Sequence, residues 1–431
     1  MRALSREEHG ISRKQISRGA LDVLYELQRA GFEAYLVGGG VRDLLLGGQP
    51  KDFDVATDAT PEQIKQLFRR SRIVGRRFQI VHVRFGREII EVTTFRAHHV
   101  GDTDSQQSQT NEQGMLLRDN VFGDLREDAL RRDFTVNALY YSVDGFKVLD
   151  HVDGYDDLKQ RRLRIIGKPE QRYREDPVRM LRALRFTCRL QFDMETETET
   201  AIASCAEHLA QVSAPRLFDE TVKLLLCGNG ATLFLLLQKH GLFEVMFPDI
   251  ADILGDGSDE SAQLQKLIEY ALQNTDDRLQ REQPVTPAFL FAALLWPLVK
   301  QQARIEERNG ANRYQALQLA GYSALDQQME LISIPKRFSI PMREIWTLQH
   351  RLEKTRNHKA AALAQHRRFR AAYDFLLLRE KSGESLHDSG EWWTRYQEEN
   401  PADSGESKRK PRRRRRRRRN NSGESDQRDG D

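Results

Sequence analysis

The apolar run Ala34 to Val37 stops on three glycines, Gly38 to Gly40, and predicts a strand entering a tight turn. Val41 to Leu46 has the composition to open a helix after that turn. Residues 80–95 carry β-branched and aromatic residues on both sides of Gly86, the pattern of two strands with a short connection. Strand and helix signals alternate from Leu36 to about Asp150, with Phe146 to Leu149 as the candidate last strand. After Asp176 the strand signal nearly vanishes, and apolar residues recur at helical spacing, as in Leu224 to Leu237 and Phe289 to Leu298. Helical character continues from Leu325 to Leu378, with Pro335 and Pro341 marking a break. The expected architecture is an α/β head, a small mixed sheet with helices, over residues 1–150, then an all-α neck (151–230) and an all-α body (231–380). Beyond Lys381 the composition turns polar and Ser-Gly-Glu-Ser recurs at 382, 404 and 422, so 381–431 is expected to be a disordered, arginine-rich tail.

Charge sharpens that last expectation. Eleven cations lie between Lys408 and Arg419, while the whole chain carries only +4, so the rest of the molecule has a net charge of −7. The arginines Arg412, Arg413, Arg414, Arg415, Arg416, Arg417, Arg418 and Arg419 form an arm with no apolar residue to bury; it can hold a phosphate backbone without regard to sequence. At 431 residues and 39% hydrophobic, the chain can build two or three domains with real cores. The first seventeen residues contain no apolar segment, and the three cysteines, Cys188, Cys205 and Cys227, are widely spaced. No export signal and no zinc site are therefore expected, and a cytoplasmic location is. The apolar stretch Ala288 to Val299 is too short to cross a membrane.

Asp52 and Asp54 are the sharpest chemical signal. Two residues apart on an extended strand they point to one face, and unpaired carboxylates that close repel unless a cation sits between them. Gly38 and Gly39 offer backbone N–H groups to phosphate oxygens, and Arg42 adds a cation. Together these describe a nucleoside triphosphate held with magnesium, two ions in all. Neither common alternative fits: no Lys-Ser or Lys-Thr pair follows the glycines, and Asp43 stands where a dinucleotide fingerprint needs glycine. Glu91, flanked by Ile90 and Val92, is the available third acid. The polar stretch Gly101 to Gly114 is expected to be a mobile loop near this site.

Gly39 to Gly47 followed by Asp52-Phe53-Asp54-Val55-Ala56-Thr57 resembles the signature of the class II nucleotidyltransferases, which comprise tRNA CCA-adding enzymes and bacterial poly(A) polymerases. Three later blocks agree in order: Glu91 to Arg96 resembles the strand bearing the third carboxylate, Glu127 to Leu139 the ribose-recognition block, and Tyr173 to Ala183 the base-reading element. The resemblance implies that Arg132 and Asp133 contact the sugar and makes Asp128 a rival to Glu91 as third catalytic acid. It also implies that Asp176 and Arg179 select the base. The residues agree with that role, because a carboxylate accepting from an exocyclic amine beside a guanidinium donating to a ring acceptor matches adenine or cytosine. Guanine and uracil reverse that polarity, whereas adenine and cytosine are not separated. Val74 to Phe78 with Ile80 and His82, Met115 to Asn120, Ala214 to Glu220 and the basic arm resemble the polymerase branch. The implied activity is template-independent addition of AMP to RNA 3′ ends, of mRNA and other transcripts, with RNA-decay proteins as candidate partners. A tRNA CCA-adding enzyme is the alternative, and a non-catalytic RNA-binding protein the alternative of another class.

Overall fold

The computed structural model describes residues 1–75, 79–97, 121–354 and 360–401, together with the backbone of 108–110 and 116–119. Among the described residues ten strands occupy the first 150 positions: β1 (Arg2–Leu4), β2 (Ala34–Val37), β3 (Asp54–Thr57), β4 (Ser71–Val74), β5 (Ile80–Phe85), β6 (Glu88–Thr94), β7 (Ser108–Thr110), β8 (Leu116–Asp119), β9 (Leu139–Ser142) and β10 (Lys147–Asp150). Strands β7 and β8 pair only with each other, and the other eight form one mixed sheet in the order β1-β10-β9-β2-β3-β6-β5-β4. Within that sheet β3 and β6 are the parallel pair.

Period-two alternation decides which face carries chemistry. Val55, Val81, Val83, Ile90 and Val92 enter the main core, shared with Val23, Leu24 and Leu27 of helix α1 (Arg18–Arg29). The intervening residues point to the opposite face, where only a small cluster of Val37, Ala56, Phe95, Ala129 and Tyr140 is buried. Asp54, Glu91 and His82 emerge on that face in one row, because Asp54 pairs with Glu91 and Glu91 with His82 in the strand register.

The elements that matter for the site then follow in order. They are α2 (Gly39–Leu45), α3 (Leu125–Arg131), α4 (Pro169–Glu175), α5 (Val178–Leu190) and α6 (Ala214–Leu225). Farther along come α7 (Arg313–Leu331), α8 (Lys336–Leu352), α9 (Phe369–Lys381) and α10 (Ser389–Glu399). The mixed-sheet head and helical remainder match the expected fold class, and no described helix is long and apolar enough to cross a membrane.

Two local expectations need correction. Pro341 lies inside α8 rather than ending it. It sits early in the helix, and Met342, Ile345 and Trp346 anchor the following turns in the core, so packing outweighs the lost backbone bond. The tail expected from Lys381 is ordered through Pro401: α10 buries Trp393 completely, its indole Nε1 donating to the Leu352 carbonyl at 2.9 Å. Three aromatic residues in a polar stretch supplied enough apolar area, with Trp392 stacked on Tyr396 beside them. The arginine run, most of the loop expected at 101–114, residues 76–78 of one polymerase-like stretch and the side chains of the other at 115–120 lie outside the described residues.

Candidate active site

Strand β2 delivers the chain to Gly38, whose φ of 76° lies in the left-handed region that favours glycine, and α2 starts at the next residue. A side chain at Gly38 would stand 3.4 Å from Asp54 Oδ2 and 3.9 Å from Arg132 Nη1, so turn, acid and guanidinium share one spot. Gly40 lets the helix close on the acid loop, since a Cβ there would meet the Asp52 carbonyl at 3.3 Å. Asp52 itself precedes β3 and is exposed; only Asp54 lies in the strand, half-buried. Burial, then the charge of Glu91 and that of Asp52, push the Asp54 carboxyl up to about 6, with Arg132 opposing. Glu91 Oε1 lies 3.4 Å from His82 Nε2, the next member of the row.

Arg42 is not where a phosphate ligand should be. It is 2% exposed, its Nε and Nη2 donate to Asp43 Oδ1 at 2.9 and 2.6 Å, and its Nη1 donates to Asn137 Oδ1 at 2.6 Å. With the guanidinium also over the Phe186 ring, Arg42 braces the glycine turn against the neck rather than facing the cleft. Asp128 needs a similar correction. It is buried, and its Oδ2 accepts from Tyr140 Oη at 2.7 Å and from Arg132 Nε and Nη2 at 3.1 and 2.9 Å. A carboxylate so occupied acts as an anchor for Arg132, whereas Glu91 sits beside Asp54 in the strand register. Arg132 is thereby fixed by two of its nitrogens, with Nη1 toward the Gly38 turn, and Tyr140 and Asp128 hold its pKa above the ordinary value despite burial.

Asp133 continues the turn. Burial raises its pKa, but Arg182, donating through Nε at 2.8 Å and Nη2 at 2.5 Å, outweighs this and holds it down to about 2. Arg172 Nη2 reaches the carbonyls of Arg131 and Arg132 at 2.5 and 2.7 Å, so α4 is latched onto the Arg132–Asp133 turn of the head. Asp176 lies between α4 and α5 with no cap bond from its side chain, and its backbone carbonyl accepts from the Arg179 N–H at 2.9 Å. Its Oδ2 accepts from Arg216 Nη2 of α6 at 2.7 Å, while Arg179 Nη1 donates to Glu175 Oε2 at 3.0 Å and to the Arg172 carbonyl at 2.8 Å. The two base-reading candidates are thus adjacent but separately braced.

Tyr140, Arg182, Arg216 and His82 shape this site and were not singled out for it from sequence. Arg182 follows Arg179 by three on one helix face, a signal that spacing alone could have supplied. Arg216 and Tyr140 act across 40 and 12 residues and leave no local pattern.

The donor set suits magnesium, since it is all oxygen and includes Asp54, whose pKa is raised by burial and by the neighbouring acids, a cost that a cation would relieve. Among the described residues no three of His, Cys, Asp and Glu form a ready cluster for a metal. That is consistent with an ion held by one or two carboxylates plus substrate phosphates rather than by an all-protein cage.

Comparison with known proteins agrees with this geometry. Residues 34–164 match the family model described as the poly A polymerase head domain. Residues 191–254 match a probable RNA and SrmB-binding site of polymerase A, and 309–422 a polymerase A arginine-rich C-terminus. The chain is 48% identical over 405 residues to the poly(A) polymerase I of Salmonella typhimurium, covering 93% of this chain and 87% of that one. It is 41% identical to the CCA-adding enzyme of Lactobacillus johnsonii, but over 53% of this chain and 55% of that one. Among solved structures it is similar to the Bacillus stearothermophilus CCA-adding enzyme in complex with CTP, with a TM-score of 0.58 and 26% identity over 89% of this chain and 82% of that one.

Proposed function

This chain belongs to the poly(A) polymerase family and is a nucleotidyltransferase; from that premise we propose that it adds AMP from ATP to RNA 3′ ends, without a template, by two-magnesium in-line transfer. The observation that carries the chemistry is the shared position of Asp54, Glu91, the Gly38 turn and Arg132 Nη1 on one sheet face. Asp52 and Asp54 would hold the ions, which when bound neutralise the triphosphate and favour the attacking alkoxide. Gly38 and Gly39 direct backbone N–H groups at the phosphates. Arg132 and Asp133 form the sugar-facing edge, stiffened by Asp128, Tyr140 and Arg182. Glu91, steadied by His82, takes the proton of the RNA 3′ hydroxyl as its oxygen bonds to the α-phosphorus and pyrophosphate leaves. Arg179 and Asp176 read the pairing edge of the base.

The choice of adenylate addition over CCA addition is supported by likeness along nearly the whole chain to a poly(A) polymerase I, against about half for the CCA-adding relative. We take 1–150 as the catalytic head, 151–230 as the neck and 231 onward as the body, with the arginine arm following Pro401. The description of the model matched at 191–254 supports RNA and a protein partner meeting the neck, where RNA-decay proteins are the candidates. To test this, purified protein is given all four nucleotides with magnesium and either an unstructured RNA or a tRNA lacking its CCA end. A lengthening adenylate ladder on the first RNA is expected. A stop after three additions to the tRNA alone would assign CCA addition instead, and absence of pyrophosphate release would remove the activity altogether.

A further inference from the structure

Helix α8 buries Met342, Ile345, Trp346 and Leu352 on one side. On the other, Lys336, Arg343, Thr347 and Arg351 recur at spacings of seven, four and four, and Lys354 follows just past the helix end, so one face of the helix is cationic. Arg343 lies 4.1 Å from the centroid of the Tyr322 ring of α7, and its Nε is buried without a hydrogen-bond partner. Tyr322 is 60% exposed, so one face of the pair is open to solvent. A second exposed ring, Tyr314, lies 6.4 Å from the His350 ring. Arg343 and His350 are seven residues apart, about 10 Å along the helix, close to three stacked nucleotides at roughly 3.4 Å each.

The acids on these helices do not cancel the face. Glu344 is taken by Arg367 and Arg368, and Glu353 by Arg313 and Arg379. Asp326 and Glu330 are the exposed ones, in the last turns of α7 before α8 begins. The ends of the face have meaning as well. At its start Ser333 N donates to the Ala214 carbonyl at 3.1 Å and Phe338 packs on Phe218, joining it to α6, whose Arg216 holds Asp176. At its finish Leu352 accepts from Trp393 of α10, the last helix among the described residues. From Lys336 to Lys354 the face spans about 27 Å.

We propose that this face is a track for single-stranded RNA, carrying the primer upstream of its 3′ end from the neck toward the arginine arm. Cations spaced along a helix hold phosphates, and open aromatic rings stack on bases without regard to sequence. The arginine arm itself is excluded as the occupant by like charge. An acidic protein segment would meet the cations but leave the two rings unused. The inference rests on the proposed extension of RNA 3′ ends and adds where the body of the primer lies.

The test compares a six-nucleotide with a twenty-nucleotide RNA primer in the full-length protein carrying Tyr322→Ala and Arg343→Gln together. The KM for the long primer should rise roughly tenfold, the size expected of one stacked base, and its salt dependence should flatten. The KM for the short primer and for ATP should stay at the wild-type value. Lys354→Glu, on the surface and clear of the core, should move the long-primer KM in the same direction and guards against a folding defect. An unchanged long-primer KM, or equal loss on both primers, would overturn the track and leave the face to a protein partner. Failure of the wild type to add adenylate at all would instead strike the proposed activity.

Discussion

Asp54 in the head and the cluster around Arg379 in the body both hold ionisable groups drawn out of water, and the fold treats them in opposite ways. Arg379 is fully buried and satisfied on every side. Its Nε and Nη2 donate to Glu384 at 2.9 Å each, its Nη1 donates to Gln349 at 3.0 Å and pairs with Glu353 at 2.8 Å, and the guanidinium covers the Trp296 ring. Burial pushes the Glu384 carboxyl up, but Arg379 and Lys300 outweigh it and hold it down to about 2. Asp54, by contrast, is crowded by two acids and opposed by one guanidinium already engaged with Asp128. Where the fold completes the charge, it has made structure; where it leaves charge over, it has left room for a ligand.

The comparison predicts that equivalent substitutions fail differently. Asp54→Asn should lower kcat by roughly a thousandfold or more, about 4 kcal/mol of transition-state stabilisation, with the protein folded by circular dichroism. A variant within tenfold of wild type would put the metal elsewhere. Arg379→Met removes the buried cation shared by two half-buried acids, leaving Glu384 only Lys300 and Glu353 only Arg313, and should cost about 3 kcal/mol in urea unfolding, with the KM for ATP unchanged in the protein that remains folded. If stability held and KM moved, the body cluster would belong to the site.

Acid and base should separate the regions further. Asp54 binds its proton more tightly folded than unfolded, so its contribution to metal-free stability is present below the ordinary carboxylate value and lost as pH rises through about 6. Glu384 and Asp133 contribute above the ordinary value and lose that contribution as pH falls through about 2. Without magnesium, Asp54→Asn should therefore be more stable than wild type at pH 8, by on the order of 1–3 kcal/mol, and equal to it near pH 4. A loss of stability at pH 8 would mean that Asp54 is compensated after all. The smallest effect is expected at the edge of the row, where His82→Asn should lower kcat roughly threefold to tenfold by loosening Glu91. No change at any pH would remove His82 from the site.

What could be read in the sequence was whatever is local. The strand, the glycine turn and two acids fall within the 21 residues from Ala34 to Asp54, and the strand pair along 80–95 is equally local; the pairing that sets Glu91 beside Asp54 is not. What stayed hidden was compensation. Arg42 and Asp128 look like free charges in the sequence and become braces only because Asn137 and Tyr140 arrive from elsewhere in the chain. Asp176 was expected to work with Arg179, yet it is held by Arg216, 40 residues away. In α10 the polar composition was read correctly, but the one tryptophan that seals the end of α8 outweighed it.

The most direct test of the unpaired acids as the metal site is a crystal of the protein soaked with a non-hydrolysable ATP analogue and manganese. Anomalous peaks are expected within about 2.0–2.3 Å of the Asp52 and Asp54 carboxylate oxygens, with the triphosphate against the Gly38 turn. Peaks at any other carboxylates, with those two aspartates left bare, would contradict it.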